Sequence, residues 1–348
     1  MSGELSQPLR LRLDGEALVS NWQAMRAMGG GADCGAAIKA DGYGLGAAQV
    51  MAKLAAAGCR DFFVATWSEA LALMPVADGL NLSVFHGVRD EDMGVALSSG
   101  IRPVLNTPGQ IGRWRAAGGG LCDVMVDTGM NRLGLDWSGD VAGLLQGLQV
   151  STLMSHLASG DEDSPLNAVQ RHRFADLARL GLAPRHSLAN SAGIFLGADY
   201  HFDMLRPGLA LYGGIAQPEA RNVLRQTVFP EAQILQRRHV RAGDGVGYNV
   251  TFIAPETVEI AILNLGYADG YLRGFSGRGV ALADGVHLPV LGRVSMDLLI
   301  VDVTARPDLV EGDWVGIDYD LTRASAQSGQ SQYELLTGLG QRYDRVWG

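Results

Sequence analysis

The sequence predicts an α/β protein, an N-terminal (β/α)8 barrel followed by a mostly-β C-terminal domain. Three observations carry that expectation. From about residue 31 to 215, short apolar runs alternate with helical patterns roughly eight times, the rhythm of strand–helix units on a closed parallel sheet. After Pro218 the style changes to VEIAILNLG, VHLPVLG, LLIVDVT and DWVGIDY, separated by turn residues such as Ala283-Asp284-Gly285 and Glu311-Gly312-Asp313. The length, 348 residues, exceeds what one ordinary core absorbs.

Taken in order, Leu9, Leu11 and Leu13 alternate with polar residues, the signature of a half-buried strand. Leu18, Trp22, Met25 and Met28 then recur at helical spacing, and Gly29-Gly30-Gly31 ends that helix. Barrel strands are predicted at 35–38, 62–65, 82–85, 103–105, 124–126, 152–154, 187–189 and 204–205, with helices such as 47–57 and 68–74 between them. The domain boundary falls near 216–226, giving a barrel over 9–222 and a mostly-β domain over 223–348 in which only 333–339 reads as helical. There is no internal repeat and no low-complexity linker.

Composition narrows the function classes. Hydrophobic residues make up 47% and charged residues 19%, enough for a packed core. The net charge of −9 offers no basic stripe to neutralise phosphates, so no nucleic-acid partner is expected. Cys34, Cys59 and Cys122 are odd in number and widely spaced; they read as small buried apolar residues in a reducing compartment, with no metal site expected. MSGELSQPLRLRLDGEAL lacks the order of a signal peptide, and no uncharged apolar run reaches the roughly 18 residues of a membrane span. A cytoplasmic protein without membrane partners is expected.

Barrel enzymes carry their chemistry at the C-terminal ends of the strands. Those positions here are Lys39, His86, Asp127 with Arg132, His156, Asn190-Ser191 and Arg206-Pro207-Gly208. Lys39 reads either as a lysine snorkelling at a strand end or as a desolvated amine able to form a Schiff base. The glycines at 42, 44 and 46 do not make G-x-G-x-x-G, and no acidic ribose partner follows, which excludes a dinucleotide loop. Ser191 and Gly208 follow the seventh and eighth strands, where barrels often cradle phosphate. A lysine for a carbonyl and a phosphate cradle opposite it together point to pyridoxal phosphate.

The ordered segments AAIKADGYGLGA, VDTGMNRLG, MSHLASGDE, LANSAG, FDMLRPGLALYGG, GVGYNVTF, LNLGYADGYLRG and LGRVSMD resemble those of the alanine racemases over nearly the whole chain. The resemblance implies a barrel and a β-rich C-terminal domain to which the strand 9–13 belongs, a homodimer whose active sites are completed across the interface, and interconversion of L- and D-alanine. It implies pyridoxal 5′-phosphate held as an aldimine by Lys39, with Lys39 and Tyr248 (supplied by the partner subunit) as the two opposed acid/base groups. Tyr43, Asn190, Ser191, Gly208 and Leu209 would surround the phosphate. Arg206 would face the ring nitrogen, with His156 bridging Arg206 and Tyr248. Arg132 and the Met296 N–H would hold the substrate carboxylate, and Tyr267, Asp161, Arg273, Arg293 and Asp297 would line or support the entry path. Two positions depart from the family pattern. Met125 stands where many members have a carbamylated lysine, and Gln341 stands where some have an inner-gate tyrosine. Both bear on selectivity, so a broader amino-acid racemase is the alternative within the fold. A non-catalytic pyridoxal-phosphate carrier is the alternative outside it, against which the presence of residues 226–348 and Tyr248 counts.

Overall fold

The computed structural model describes residues 6–348. Contacts divide it into two units: Leu18–Arg225, and Gln226–Gly348 together with the described residues up to Ala17.

In the first unit, seven parallel strands form one sheet, in spatial order Arg185–Ser187, Gln149–Met154, Leu121–Asp127, Arg102–Leu105, Asn81–Val84, Asp61–Val64 and Ala36–Ala37. The eighth strand, Met204–Leu205, pairs in parallel with Asp33–Cys34. The Gly35 and Ala37 N–H groups donate to the Leu205 and Pro207 carbonyls, and the Arg206 N–H donates to the Ala189 carbonyl. These bonds tie both edges of the sheet to the eighth strand and close the barrel. Strand residues that face inward pack a core of Ala37, Phe63, Val104, Met125, Met154 and Met204, as a small parallel barrel requires.

The intervening helices are cut by ordinary capping chemistry. Trp67–Leu73 opens with a Thr66/Glu69 capping box, Pro108–Ala116 with Thr107, and Pro165–Ala178 with Ser164. Two helices carry Pro in the first turn, where its missing N–H costs nothing.

The second unit is built on the thirteen-residue strand Val228–Val240. Its first half pairs antiparallel with Leu9–Leu13 and Trp314–Ile317. A register shift between Ile234 and Gln236 then redirects its second half to Val258–Leu263. Leu9, Leu11 and Leu13 are fully buried, while Arg10 and Arg12 lie on the opposite face over Trp314 and Phe229 and pair with Glu231. That alternation is the period of two seen in the sequence.

The expectation of a single late helix needs correction. Two are present, Leu321–Ser328 and Gln332–Thr337. LTRASAQS is short and mostly polar, with Leu321 and Ala324 as its buried residues, but Asp320 accepts the Arg323 N–H as N-cap and Gly329 takes the left-handed C-cap. Among the described residues, no helix is long and apolar enough to cross a membrane, and no three metal-ligating side chains cluster.

Candidate active site

Lys39 follows the first barrel strand, Ala36–Ala37, and lines a cavity at the barrel mouth together with Phe85, Asn106, Met125, Arg132, His156 and Arg206. Burial holds its ammonium below the ordinary lysine pKa of 10.5; the Arg132 and Arg206 guanidinium groups add to this, and Glu69 opposes it. The Lys39 Nζ lies 5.9 Å from the centre of the Phe85 ring.

The chain leaves Lys39 through an unusual turn. Ala40, Asp41, Gly42, Tyr43 and Gly44 have φ of 54°, 52°, 63°, 56° and 86°. This is a left-handed helical turn, and each non-glycine residue in it costs roughly 1–2 kcal/mol. Bonds from the Gly42 N–H to the Ile38 carbonyl and from the Gly44 N–H to the Ala40 carbonyl, both 2.8 Å, stabilise it. The Asp41 carboxylate accepts the Ala47 N–H at 2.8 Å and joins the turn to the next helix. A side chain at Gly42 would be strained, since its φ is positive and a Cβ would lie a tight 3.1 Å from the Ala47 backbone.

The turn buries Tyr43, whose ring stacks on Tyr212 at 4.7 Å between centroids. Its hydroxyl reaches the backbone of Gly208, where any Cβ would run into it. The Ser191 Oγ accepts the Gly208 and Ala210 N–H groups at 2.9 and 3.1 Å, and Leu209 opens the short turn Leu209–Tyr212. Tyr43, Ser191, Gly208 and Leu209 are thus gathered into one cluster. Asn190 instead caps a turn, its Oδ1 accepting the Gly193 N–H at 2.9 Å. Because Gly208→Ala overpacks this contact, it is expected to cost about 1–3 kcal/mol of stability, measurable by urea denaturation of the full chain.

Arg206 is buried and forms no ion pair with a carboxylate among the described residues, although the charge of Asp123 acts on it. Its Nε donates to the Ser187 Oγ at 2.8 Å and an Nη to the Ser155 carbonyl. Burial lowers its pKa to about 10, so it stays cationic at neutral pH. No hydrogen bond joins it to His156 among the described residues; the two are coupled by charge. Burial, followed by Arg206, Arg132 and Lys39, lowers the His156 pKa to about 3 from 6.5. His156 is therefore neutral at neutral pH and supplies an oriented dipole. In the unfolded chain the same imidazole takes up a proton as pH falls through 6.5. Its contribution to folding is therefore lost progressively from pH 6.5 toward 3. His156→Gln should lose less stability than the parent protein between pH 7 and 5, compared by urea midpoints.

Asp127 shapes the loop after the fifth strand. Burial raises its pKa, but the Gly129, Asn131, Arg132 and Met130 N–H groups outweigh that and hold it below the usual carboxylate range. The loop projects the Arg132 side chain, which makes no hydrogen bond or ion pair among the described residues. Met125 packs its thioether in the barrel core beside it. Asp161 is exposed on the barrel unit.

In the second unit, Tyr248 starts a short turn joining the two-residue strands Gly245–Val246 and Phe252–Ile253, and is 64% exposed. Asn249 and Val250 have φ of 59° and 50°, strained for a β-branched residue. Arg293 lies near this hairpin, its backbone N 3.7 Å from where a Gly247 Cβ would sit. A second group forms where the Tyr267 and Ala268 N–H groups donate to the Ser295 and Met296 carbonyls, each at 3.0 Å. The Arg273 guanidinium lies 5.4 Å from the centre of the Tyr267 ring. Two residues that sequence reasoning missed hold this group. The fully buried Asp269 carboxylate accepts both Gly266 N–H and Arg342, and Arg342 also donates to Asp297. Gln341, the neighbour of Arg342, is exposed.

A closed parallel barrel with a desolvated lysine and two guanidinium groups at its mouth, followed by a strand-rich unit, defines a two-domain barrel enzyme. Two family models match the chain in that order, alanine racemase N-terminal domain over residues 13–216 and alanine racemase C-terminal domain over 228–347. The chain belongs to the alanine racemase family, whose members are isomerases. It is 43% identical to alanine racemase of Acidiphilium cryptum over 97% of this chain and 98% of that one. It is 40% identical to a catabolic alanine racemase of Mesorhizobium japonicum, covering 96% and 92% of the two chains; biosynthetic names also occur among its relatives. It resembles the crystal structure of alanine racemase from Bartonella henselae with covalently bound pyridoxal phosphate, at TM-score 0.90 and 34% identity over 99% of this chain and 100% of that one.

Proposed function

We propose that the protein is a pyridoxal-phosphate-dependent alanine racemase, using Lys39 and Tyr248 as opposed proton carriers and working as a homodimer. The observation that carries this reading is the Lys39 amine, desolvated at the barrel mouth between Arg132 and Arg206. The donor set fits the cofactor. Lys39 supplies an amine for the aldehyde; the Tyr43 and Ser191 hydroxyls, with the Leu209 N–H, supply donors for a phosphate; Gly208, whose N–H donates to the Ser191 Oγ, leaves room for it without a side chain; and Asn190 fixes the turn beside Ser191. When bound, pyridoxal phosphate supplies an electron-withdrawing ring that acidifies the substrate α-carbon.

The protein's own groups do the rest. Arg206 stays cationic at neutral pH and would not give up a proton to the ring nitrogen of a bound cofactor, which would limit the electron withdrawal that the cofactor supplies. Arg132, which makes no hydrogen bond or ion pair among the described residues, is available for a bidentate bond to the substrate carboxylate, with the Met296 N–H as a second donor. The Lys39 Nζ holds or gives a proton on one face of the α-carbon, and the Tyr248 hydroxyl does so on the other. The second domain of a partner subunit would deliver Tyr248. The exposed Tyr248, Val250, Ile253 and Met296 support such an interface, because large apolar side chains left together on a surface mark docking faces. Tyr267, Arg273, Arg293, Asp161 and Asp297 would set the approach of substrate.

The test is a panel of alanine, serine, lysine and arginine enantiomers followed by chiral chromatography in deuterated water. Both alanine enantiomers should converge on a racemic, α-deuterated mixture. Serine, lysine or arginine racemised as fast as alanine would select the broader reading. No exchange with any of the four would refute a racemase.

A further inference from the structure

We infer that Glu69, on the helix after the second barrel strand, is a positioning residue that fixes the Lys39 amine by clamping the left-handed turn behind it. One carboxylate oxygen accepts the Ala40 N–H at 2.7 Å, the first peptide group after Lys39. The other accepts the Ala65 N–H at 2.7 Å and the Thr66 N–H at 3.2 Å, at the end of the second strand. A single side chain therefore bridges the ends of two adjacent strands at the point where the chain enters φ-positive geometry. The Ala40 N–H belongs to a residue at φ 54° and would otherwise compete for water in a conformation that costs energy. The Thr66 Oγ1, accepting the Glu69 N–H at 3.3 Å, and the buried Trp67 and Ala70 of the same helix fix the carboxylate in turn. The proposal deepens the reading of Lys39 as the reacting amine and rests on it.

The clamp is also a charge. The groups whose charge Lys39 feels are Arg132 from the fifth-strand loop, Arg206 after the eighth strand, and Glu69, the one anion among them. His156 after the sixth strand also interacts with Lys39 but is neutral. Asp41, on the Lys39 turn itself, is committed to the Ala47 N–H. Glu69 thus moderates an amine that burial and two cations drive toward the neutral form. Removing its charge while keeping its length should make Lys39 lose its proton at lower pH.

The test uses three variants of the full-length holoenzyme. Hydrogen–deuterium exchange with mass spectrometry on Glu69→Ala should show amides 40–44 exchanging at least about tenfold faster, with peptides from 228–263 unchanged. The pH profile of kcat, which reports the substrate complex where the Lys39 amine is free, should show the acidic limb moving down by about half a unit to one unit in Glu69→Gln. Glu69→Asp keeps the charge but shortens the reach, so exchange should quicken while the limb stays near its parent position. Unchanged exchange at 40–44 in Glu69→Ala, or an unmoved limb in Glu69→Gln, overturns the proposal. A loss of rate in all three variants with neither signature also overturns it, leaving Glu69 a helix cap. If Lys39 were not the reacting amine, Lys39→Ala would still racemise alanine whatever the exchange experiment gave, so the two failures are separable.

Discussion

Lys39→Ala, purified as the full chain, should lose the visible absorbance of lysine-bound pyridoxal phosphate and racemise alanine more than about 10⁴-fold more slowly than the parent protein. The size of the effect follows from two tasks falling on one side chain. The same nitrogen that anchors the cofactor is the proton carrier for one face, so alanine removes both. Methylamine added in trans could restore some cofactor chemistry but not the geometry, because the amine is placed by a strained turn and three neighbouring charges. The sign of the pH dependence also follows. Burial, Arg132 and Arg206 hold Lys39 below 10.5, outweighing Glu69, so the neutral amine persists to lower pH than in an exposed lysine. The acidic limb of kcat should therefore fall below 10.5, and saturating steady-state rates across pH in wild-type protein check it. A parent-like rate in Lys39→Ala would remove the reacting-amine assignment.

Tyr248→Phe is expected to lower kcat by about 10²–10⁴-fold, the usual worth of a positioned acid/base group. The change removes one oxygen from an exposed side chain, so folding stability should stay within about 0.5 kcal/mol of the parent. Visible absorbance should be retained, which separates this variant from Lys39→Ala. The more informative signature is asymmetry. Lys39 still serves its face, so the α-proton of one alanine enantiomer should continue to exchange with solvent deuterium. Exchange of the other should fail with racemisation. Equal exchange of both enantiomers in Tyr248→Phe would mean that another group serves the second face.

Much of this architecture is legible in the sequence because local periodicity and global fold agree. Leu9, Leu11 and Leu13 alternate and are buried alternately, and the eight apolar runs coincide with or overlap observed strands. The boundaries moved where pairing, not hydrophobicity, decides them. The seventh strand is Arg185–Ser187 and not 187–189, because Arg185 and His186 pair with Thr152 and Leu153 despite their polarity. The helix Leu321–Ser328 was hidden by its polar composition and was detectable only through Asp320 and Gly329.

The candidate site divides in the same way. Lys39, Arg132, His156 and Arg206 could be found from their places at strand ends, and one cavity does gather them. Tyr43, Ser191 and Gly208 were read through turn chemistry and resemblance. Glu69 was not found, since a glutamate three residues after Thr66 reads as an ordinary capping box, and its second partner, Ala40, lies 29 residues earlier. Asn106 was missed for a similar reason. Its Nδ2 is used by the Phe85 and Val104 carbonyls, and only the fold turns the residue to the cavity. Arg342 and Asp269 are 73 residues apart, a pairing that no local pattern can announce.

The central claim, two opposed groups supplied by two subunits, is tested most directly by mixing. Lys39→Ala and Tyr248→Phe proteins, each nearly inactive, are dissociated together in mild denaturant and allowed to re-associate. In a hybrid dimer, one of the two sites combines an intact Lys39 with an intact Tyr248 from the other chain. Random pairing makes half the dimers hybrids with one good site in two, so the account predicts about a quarter of wild-type racemisation after mixing. Activity no greater than the sum of the two unmixed variants, with hybrid dimers verified by native mass spectrometry, would contradict it.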